Sequence, residues 1–173
     1  MKGEKNKMEY KRTKYGNFMY KFLEKATKPL IKHIWLYYLL NYTWGIITTI
    51  FGWLLFGIVN LIFIKKIKEH DKFGPCCYVM FGNNWGGLEL GTCFLIADGM
   101  GDDWTLHTKC HEIGHTFQNA ILGPFAIFLV FIPSVIRYWY REIKKTDKPY
   151  DAIWFEESAT NIGTDYFNTN VLK

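Results

Sequence analysis

The longest feature of the hydrophobic pattern is Ile34 to Ile64, 31 consecutive positions without a charged side chain. A helix needs about 20 apolar residues to cross a hydrocarbon core, so this run is too long for one upright span and too short for two. Its aromatic side chains suggest where it divides. Leu30 to Thr43, with Trp35, Tyr37, Tyr38 and Tyr42, is expected at a membrane interface, and Trp44 to Ile64, 21 residues closed by Lys65-Lys66, is the expected spanning helix. The alternative is a buried helix of a water-soluble core, which seldom contains so long an uninterrupted apolar run.

After Lys65-Lys66-Ile67-Lys68 the texture changes. Two β-prone runs, Cys77 to Phe81 and Leu88 to Ala97, flank Gly82-Asn83-Asn84-Trp85-Gly86-Gly87, and this reads as a hairpin with the second run as the returning strand. Asp98 to Asp103 is a turn or loop in which Asp102 or Asp103 is expected to cap the helix that follows, from about Trp104 to Leu122. Gly123-Pro124 is its stop signal. Ile121 to Ile136 is 16 residues without a charge, interrupted by Pro124 and Pro133, which suits a re-entrant or half-inserted segment better than a straight span. Tyr150 to Gly163 is read as a further helix. The expected fold is mainly α with a small β hairpin or sheet (α+β), in an integral membrane protein with one spanning helix and a second, proline-broken apolar segment.

Composition and charge refine this picture. With 173 residues, 49% hydrophobic and 18% aromatic, the chain is one domain's worth of folded protein and too apolar to be disordered. The net charge of +5 is uneven: residues 1–33 hold ten Lys/Arg against three glutamates, leaving about −2 for the rest. Because this basic segment runs directly into the apolar stretch, it reads as a membrane-surface arm or topology signal, with the bilayer as partner and no nucleic acid. The apolar part is far longer than the core of a cleaved signal. The expected division is a basic arm over 1–33, an interfacial and transmembrane segment over 34–64, and the remainder, 65–173, as one further domain. Cys76, Cys77, Cys93 and Cys110 show no zinc-knuckle spacing and are expected as free thiols, which points to a reducing, cytoplasmic side for the domain. Lysines flank both ends of the expected span, so charge alone does not orient it.

The candidate chemistry lies on the Trp104–Leu122 helix. His111-Glu112-Ile113-Gly114-His115 matches HExxH, which places two imidazoles on one helical face with a carboxylate beside them. That pattern suits a metal-activated water: the ion acidifies the water and Glu112 takes its proton. A third ligand is needed. His107 shares the face but lies eight residues from His115, about 12 Å along the axis, too far for one ion with bonds of about 2 Å to bind both. It is kept as an outer partner of the site, as is Gln118. The Tyr150–Gly163 segment is the better source, because on a helix Glu156, Ala159, Thr160 and Gly163 share a face whose small residues allow close approach. Tyr166 and His107 are candidate hydrogen-bond donors to a developing oxyanion.

HEIGH followed by a downstream Glu-x-x-Ala resembles the gluzincin metallopeptidases. More closely, the chain is similar to a group of small bacterial membrane proteins carrying NWGGLxLG, HExGHxxQ and YDxIWFE, a likeness that spans about Trp44 to Gly163. The resemblance implies a zincin-like metallopeptidase domain over 65–173, Zn2+ held by His111, His115 and Glu156, and Glu112 as general base. It also implies a peptide or membrane-protein substrate, location in the bacterial cell membrane, and Leu88 to Ile96 as a strand that holds substrate by strand addition. Thr160 stands where gluzincins of the Glu-x-x-Ala-Asp type have an aspartate that orients a histidine; its hydroxyl can hydrogen-bond an imidazole but supplies no charge. A non-catalytic, membrane-anchored metal-binding module is the alternative expectation.

Overall fold

Alternating large side chains along two short runs build the centre of a mixed four-stranded sheet. The computed structural model describes residues 18–146 and 150–172. The strands are β1 (Ile67–Phe73), β2 (Cys76–Asn83), β3 (Gly87–Leu90) and β4 (Cys93–Asp98), in the order β1-β2-β4-β3. The two central strands, β2 and β4, are parallel, while β1 and β3 pair antiparallel on the two edges. Tyr78, Met80, Phe94 and Ile96 point into the main core and Val79, Cys93 and Leu95 into a second one, so both faces of the sheet are covered.

The sheet differs from the predicted hairpin. The expected returning strand is broken at Gly91-Thr92 into β3 and β4, and β4 lies parallel to β2. Gly91 makes this turn at φ +72°, where a side chain would also meet the backbone of Thr49. The hairpin partner of β2 is β1, whose run Lys68-Glu69-His70-Asp71-Lys72 concealed it. An edge strand with one face in water keeps its charges, and so lacks the apolar alternation that marks a covered strand.

The described residues include six α-helices: α1 (Phe18–Lys32), α2 (Ile34–Tyr42), α3 (Ile46–Ile62), α4 (Asp102–Leu122), α5 (Ile132–Lys144) and α6 (Trp154–Asn170). Residues 18–32, expected within a membrane-surface arm, form a helix docked on the core. Tyr20, Leu23, Thr27, Leu30 and Ile31 recur at helical spacing and are buried, so the lysines that dominate the composition occupy only the outer face. The rest of the predicted arm, residues 1–17, lies outside the described residues. Asp102 and Asp103 sit in the first turn of α4 behind Gly101 at the N-cap, so they meet the helix's positive end as charges rather than as caps.

The long apolar run bends by 88° between α2 and α3, close to where its aromatic belt was expected to give way. α3 is shorter than the predicted span, 17 residues, or about 26 Å against a hydrocarbon core of about 30 Å. Among the described residues no single helix is long and apolar enough to cross a membrane. One stripe of α3, including Phe56 and Val59, packs on the sheet, whereas Ile50, Leu54, Ile58, Leu61 and Ile62 are exposed. The second apolar segment also bends, by 116°, through a 3-10 turn at Gly123–Phe125 and a π-helical turn at Ile127–Phe131. The break lies at Ala126, directly after the turn that holds Gly123 and Pro124. Pro133 falls in the first turn of α5, where its missing N–H costs little.

Candidate metal centre

The crossing of α4 and α6 brings the proposed ligands together, and two glycines make that crossing possible. A methyl group at Gly114 would overlap the carbonyl of Ala159, and one at Gly163 would overlap the carbonyl of Cys110. With both side chains absent the helix backbones touch, and residues one turn from each contact face each other across the seam.

In that seam His111 Nε2 lies 3.0 Å and His115 Nε2 3.1 Å from Glu156 Oε2, and the two imidazole nitrogens are 3.1 Å apart. The three residues are almost wholly buried. Each ring is fixed from behind. His115 Nδ1 donates to Gln118 Oε1 at 2.8 Å, and Gln118 is itself oriented because its amide nitrogen donates to Phe155 O at 2.7 Å and Ser158 Oγ at 2.6 Å. With the hydrogen of His115 on Nδ1, the lone pair of Nε2 faces the cluster. His111 Nδ1 is held by Thr160 Oγ1 at 2.8 Å. The other oxygen of Glu156 accepts from Ser134 Oγ at 2.5 Å.

Two imidazole lone pairs and a carboxylate oxygen converging this closely repel one another unless a cation lies among them. A proton shared within the cluster relieves that repulsion. His115 is pushed up to about 9, because Glu156, then Glu112 and Glu89, outweigh the burial that works to lower it. Burial opposes ionisation of Glu156, but the two histidines hold it well below the usual carboxylate range. The donors fit a metal ion equally well. His111, His115 and Glu156 can hold one ion, and tetrahedral zinc with bonds of about 2.0–2.2 Å keeps its ligand atoms roughly 3.3 Å apart, a small expansion of the observed triangle.

A cleft of about 450 Å3 opens over this group. Glu112 lines it, buried, with its carboxyl pushed up to about 8 by that burial against the pull of His115. The carboxyl is seated under β3, where a side chain at Gly87 would collide with it. Among the described residues β3 is an edge strand paired with β4 alone, and Gly86, Gly87, Leu88 and Glu89 line the cleft. His107 also lines the cleft, one turn before His111, but outside the metal group.

Two polar groups of the site were not anticipated. Ser134, from the first turn of α5, joins Tyr150 to Glu156: the Tyr150 hydroxyl donates to Ser134 Oγ at 2.8 Å, and Ser134 in turn donates to the carboxylate. Arg137 Nε donates to Tyr150 O at 2.7 Å, fixing the loop before α6. Burial raises the Tyr150 phenol above its ordinary value, so it stays protonated. Tyr166, a sequence candidate for donor, lies elsewhere: its ring packs on Phe117 with centroids 5.5 Å apart, and ten residues of helix, about 15 Å, separate it from Glu156. The sequence signal for Tyr150 was its place in Tyr150-Asp151-x-Ile153-Trp154-Phe155-Glu156. Ser134 had no signal beyond following Pro133.

The chain matches no protein-family model, no curated protein and no solved structure.

Proposed function

We propose that this protein is a membrane-associated, zinc-dependent peptidase of gluzincin type. The observation that carries the reading is the convergence of His111 Nε2, His115 Nε2 and Glu156 Oε2 at 3.0–3.1 Å beneath an open cleft in which Glu112 stands beside them. A structural zinc site is more often closed by four protein ligands and needs no adjacent base.

Zinc bound there supplies Lewis-acid polarisation of a carbonyl and acidifies water. Glu112 takes the proton of the attacking water and returns it to the leaving amine. Gln118 fixes the His115 tautomer that presents Nε2, and Thr160 holds the plane of the His111 ring. Tyr150 donates a hydrogen bond to the developing oxyanion, leaving Ser134 on Glu156. The open edge of β3 pairs with an extended substrate backbone, and Gly87 lets that backbone lie close above Glu112.

The exposed apolar side chains of α3, together with Phe128, Ile136, Trp139 and Ile143 around α5, support association with a bilayer. The exposed Lys144 and Lys145 at the end of α5 suit an anionic surface. In this reading the protein is seated in the bacterial cell membrane with its site on the cytoplasmic side, and its substrate is a peptide or membrane protein.

The test uses the full chain in vesicles, loaded with zinc and presented with a peptide library, alongside Glu112→Gln. The expected result is one zinc per chain in both proteins, with hydrolysis lowered by roughly 10²–10⁴ in the variant. Stoichiometric zinc with no hydrolysis by the wild type, or with hydrolysis unchanged by the substitution, overturns the peptidase reading in favour of a metal-binding module.

A further inference from the structure

A second cavity, of about 280 Å3, adjoins the metal cleft. His115, Glu89, Val130 and Phe131 line both. Its remaining walls come from α3, through Ile47, Thr48 and Phe51, and from the bent segment, through Ala126 and Ile127, with Gly91, Gln118 and Asn119 behind. Ile47 and Phe51 are each 60% exposed, so the rim belongs to the outward apolar face of α3. One end of the cavity therefore meets a metal ligand and the other meets the surface read above as lipid-facing.

The polar side chains in its wall are already engaged. Thr48 donates to Gly45 O at 2.7 Å and Asn119 Oδ1 at 2.6 Å, and Asn119 Nδ2 donates to Asn41 Oδ1 at 2.7 Å. Gln118 is committed between His115, Phe155 and Ser158, and Glu89 accepts from Gly91 N at 2.5 Å. A peptide backbone in this cavity would bring an N–H and a C=O per residue with little to receive them, and such groups are costly when unmet. An alkyl chain carries no such groups and matches the wall along its length.

We propose that this cavity is a subsite for a single alkyl chain entering from the bilayer side of α3. Its inner end lies against His115, so the site acts on a molecule carrying such a chain close to the bond that is cleaved. The second statement rests on the peptidase reading; binding of the chain does not. The chain can belong to a lipid-modified peptide or to a bilayer lipid.

The experiment uses the full chain in phosphatidylcholine vesicles with a hexadecanoyl probe bearing a photoactivatable diazirine in mid-chain. In one arm the probe is attached to a short peptide and in the other it is part of a phospholipid. Labelled residues are located by mass spectrometry. The expected result is labelling of the inner lining at Ala126, Ile127 and Val130, and not only of the exposed rim at Ile47 and Phe51, in at least one arm, and the arm that labels the inner lining identifies the source of the chain. In Ile127→Trp, whose indole occupies the cavity, this inner labelling is lost, while zinc content and the labelling of bilayer-facing Trp139 and Ile143 are unchanged. Ile47→Trp, at the exposed rim, gives the same loss with less demand on folding. Labelling confined to exposed positions in both arms, or cavity labelling that neither variant lowers, overturns the proposal. Parallel runs on Glu112→Gln need no hydrolysis, so a failed peptidase reading and a failed chain subsite are read separately.

Discussion

Along α4 and α6 the buried positions are largely polar: His111, Glu112, His115, Gln118, Asn119, Glu156, Ser158, Thr160 and Asn161 all lie inside. Along α3 the arrangement is reversed, with Ile47, Ile50, Phe51, Leu54, Ile58, Leu61 and Ile62 all exposed. The first pair of helices tolerates its polar interior because the groups serve one another, as where Gln118 orients His115 and Thr160 orients His111. Among the described residues these side chains of α3 lie uncovered, and in the proposed reading the bilayer supplies their apolar surroundings. In the proposed reading one region is organised around a cation and the other around a bilayer, and the two should respond differently to substitution.

The largest expected difference lies in metal affinity. His115→Ala removes a ligand and should weaken zinc binding by more than the roughly 100-fold upper end for losing an outer partner, whereas Thr160→Ala should cost roughly 10–100-fold. Leu54→Ala on the outer face of α3 should leave zinc affinity unchanged. Competition with a chromophoric chelator measures all three, and equal effects of Thr160→Ala and Leu54→Ala would erase the distinction.

Glycines sharpen the comparison next. Gly163→Ala drives a methyl into the Cys110 carbonyl, which no rotamer change relieves, and should destabilise the fold by about 1–3 kcal/mol. A Cβ at Gly57 of α3 meets nothing within 4 Å, so Gly57→Ala should stabilise by about 0.5–1 kcal/mol through helix propensity. Denaturant midpoints for both variants check the opposite signs.

The third contrast is in pH. Zinc must displace the proton that His115 retains up to about 9, so below that pH affinity should fall as pH falls, by about tenfold per unit for one proton. Insertion of α3, which carries no ionisable side chain, should not follow this trend. Chelator competition and vesicle flotation at pH 6, 7 and 8 separate the two, and a zinc affinity flat over that range would remove the proton from the cluster.

Much of the site could be read locally, because its logic is helical. Four-residue spacing places His111 and His115 together, and the same periodicity gathers Glu156, Ala159, Thr160 and Gly163 on the face that meets α4. α1 was concealed by composition, since its lysines dominate the count while five spaced residues decide its packing. β1 was concealed by its position at the sheet edge, where charge is compatible with a strand.

By itself the sequence determined the periodic elements, the two apolar runs and the residue types able to hold a metal, because each depends on neighbours within a turn or two. Only the tertiary structure decided which strand lies parallel to which, that the second apolar segment bends at Ala126 and not at Pro133, and that Ser134 and Tyr150 reach Glu156. It also placed a second cavity against His115. These features join residues distant along the chain, and local periodicity carries no information about which distant surfaces will meet.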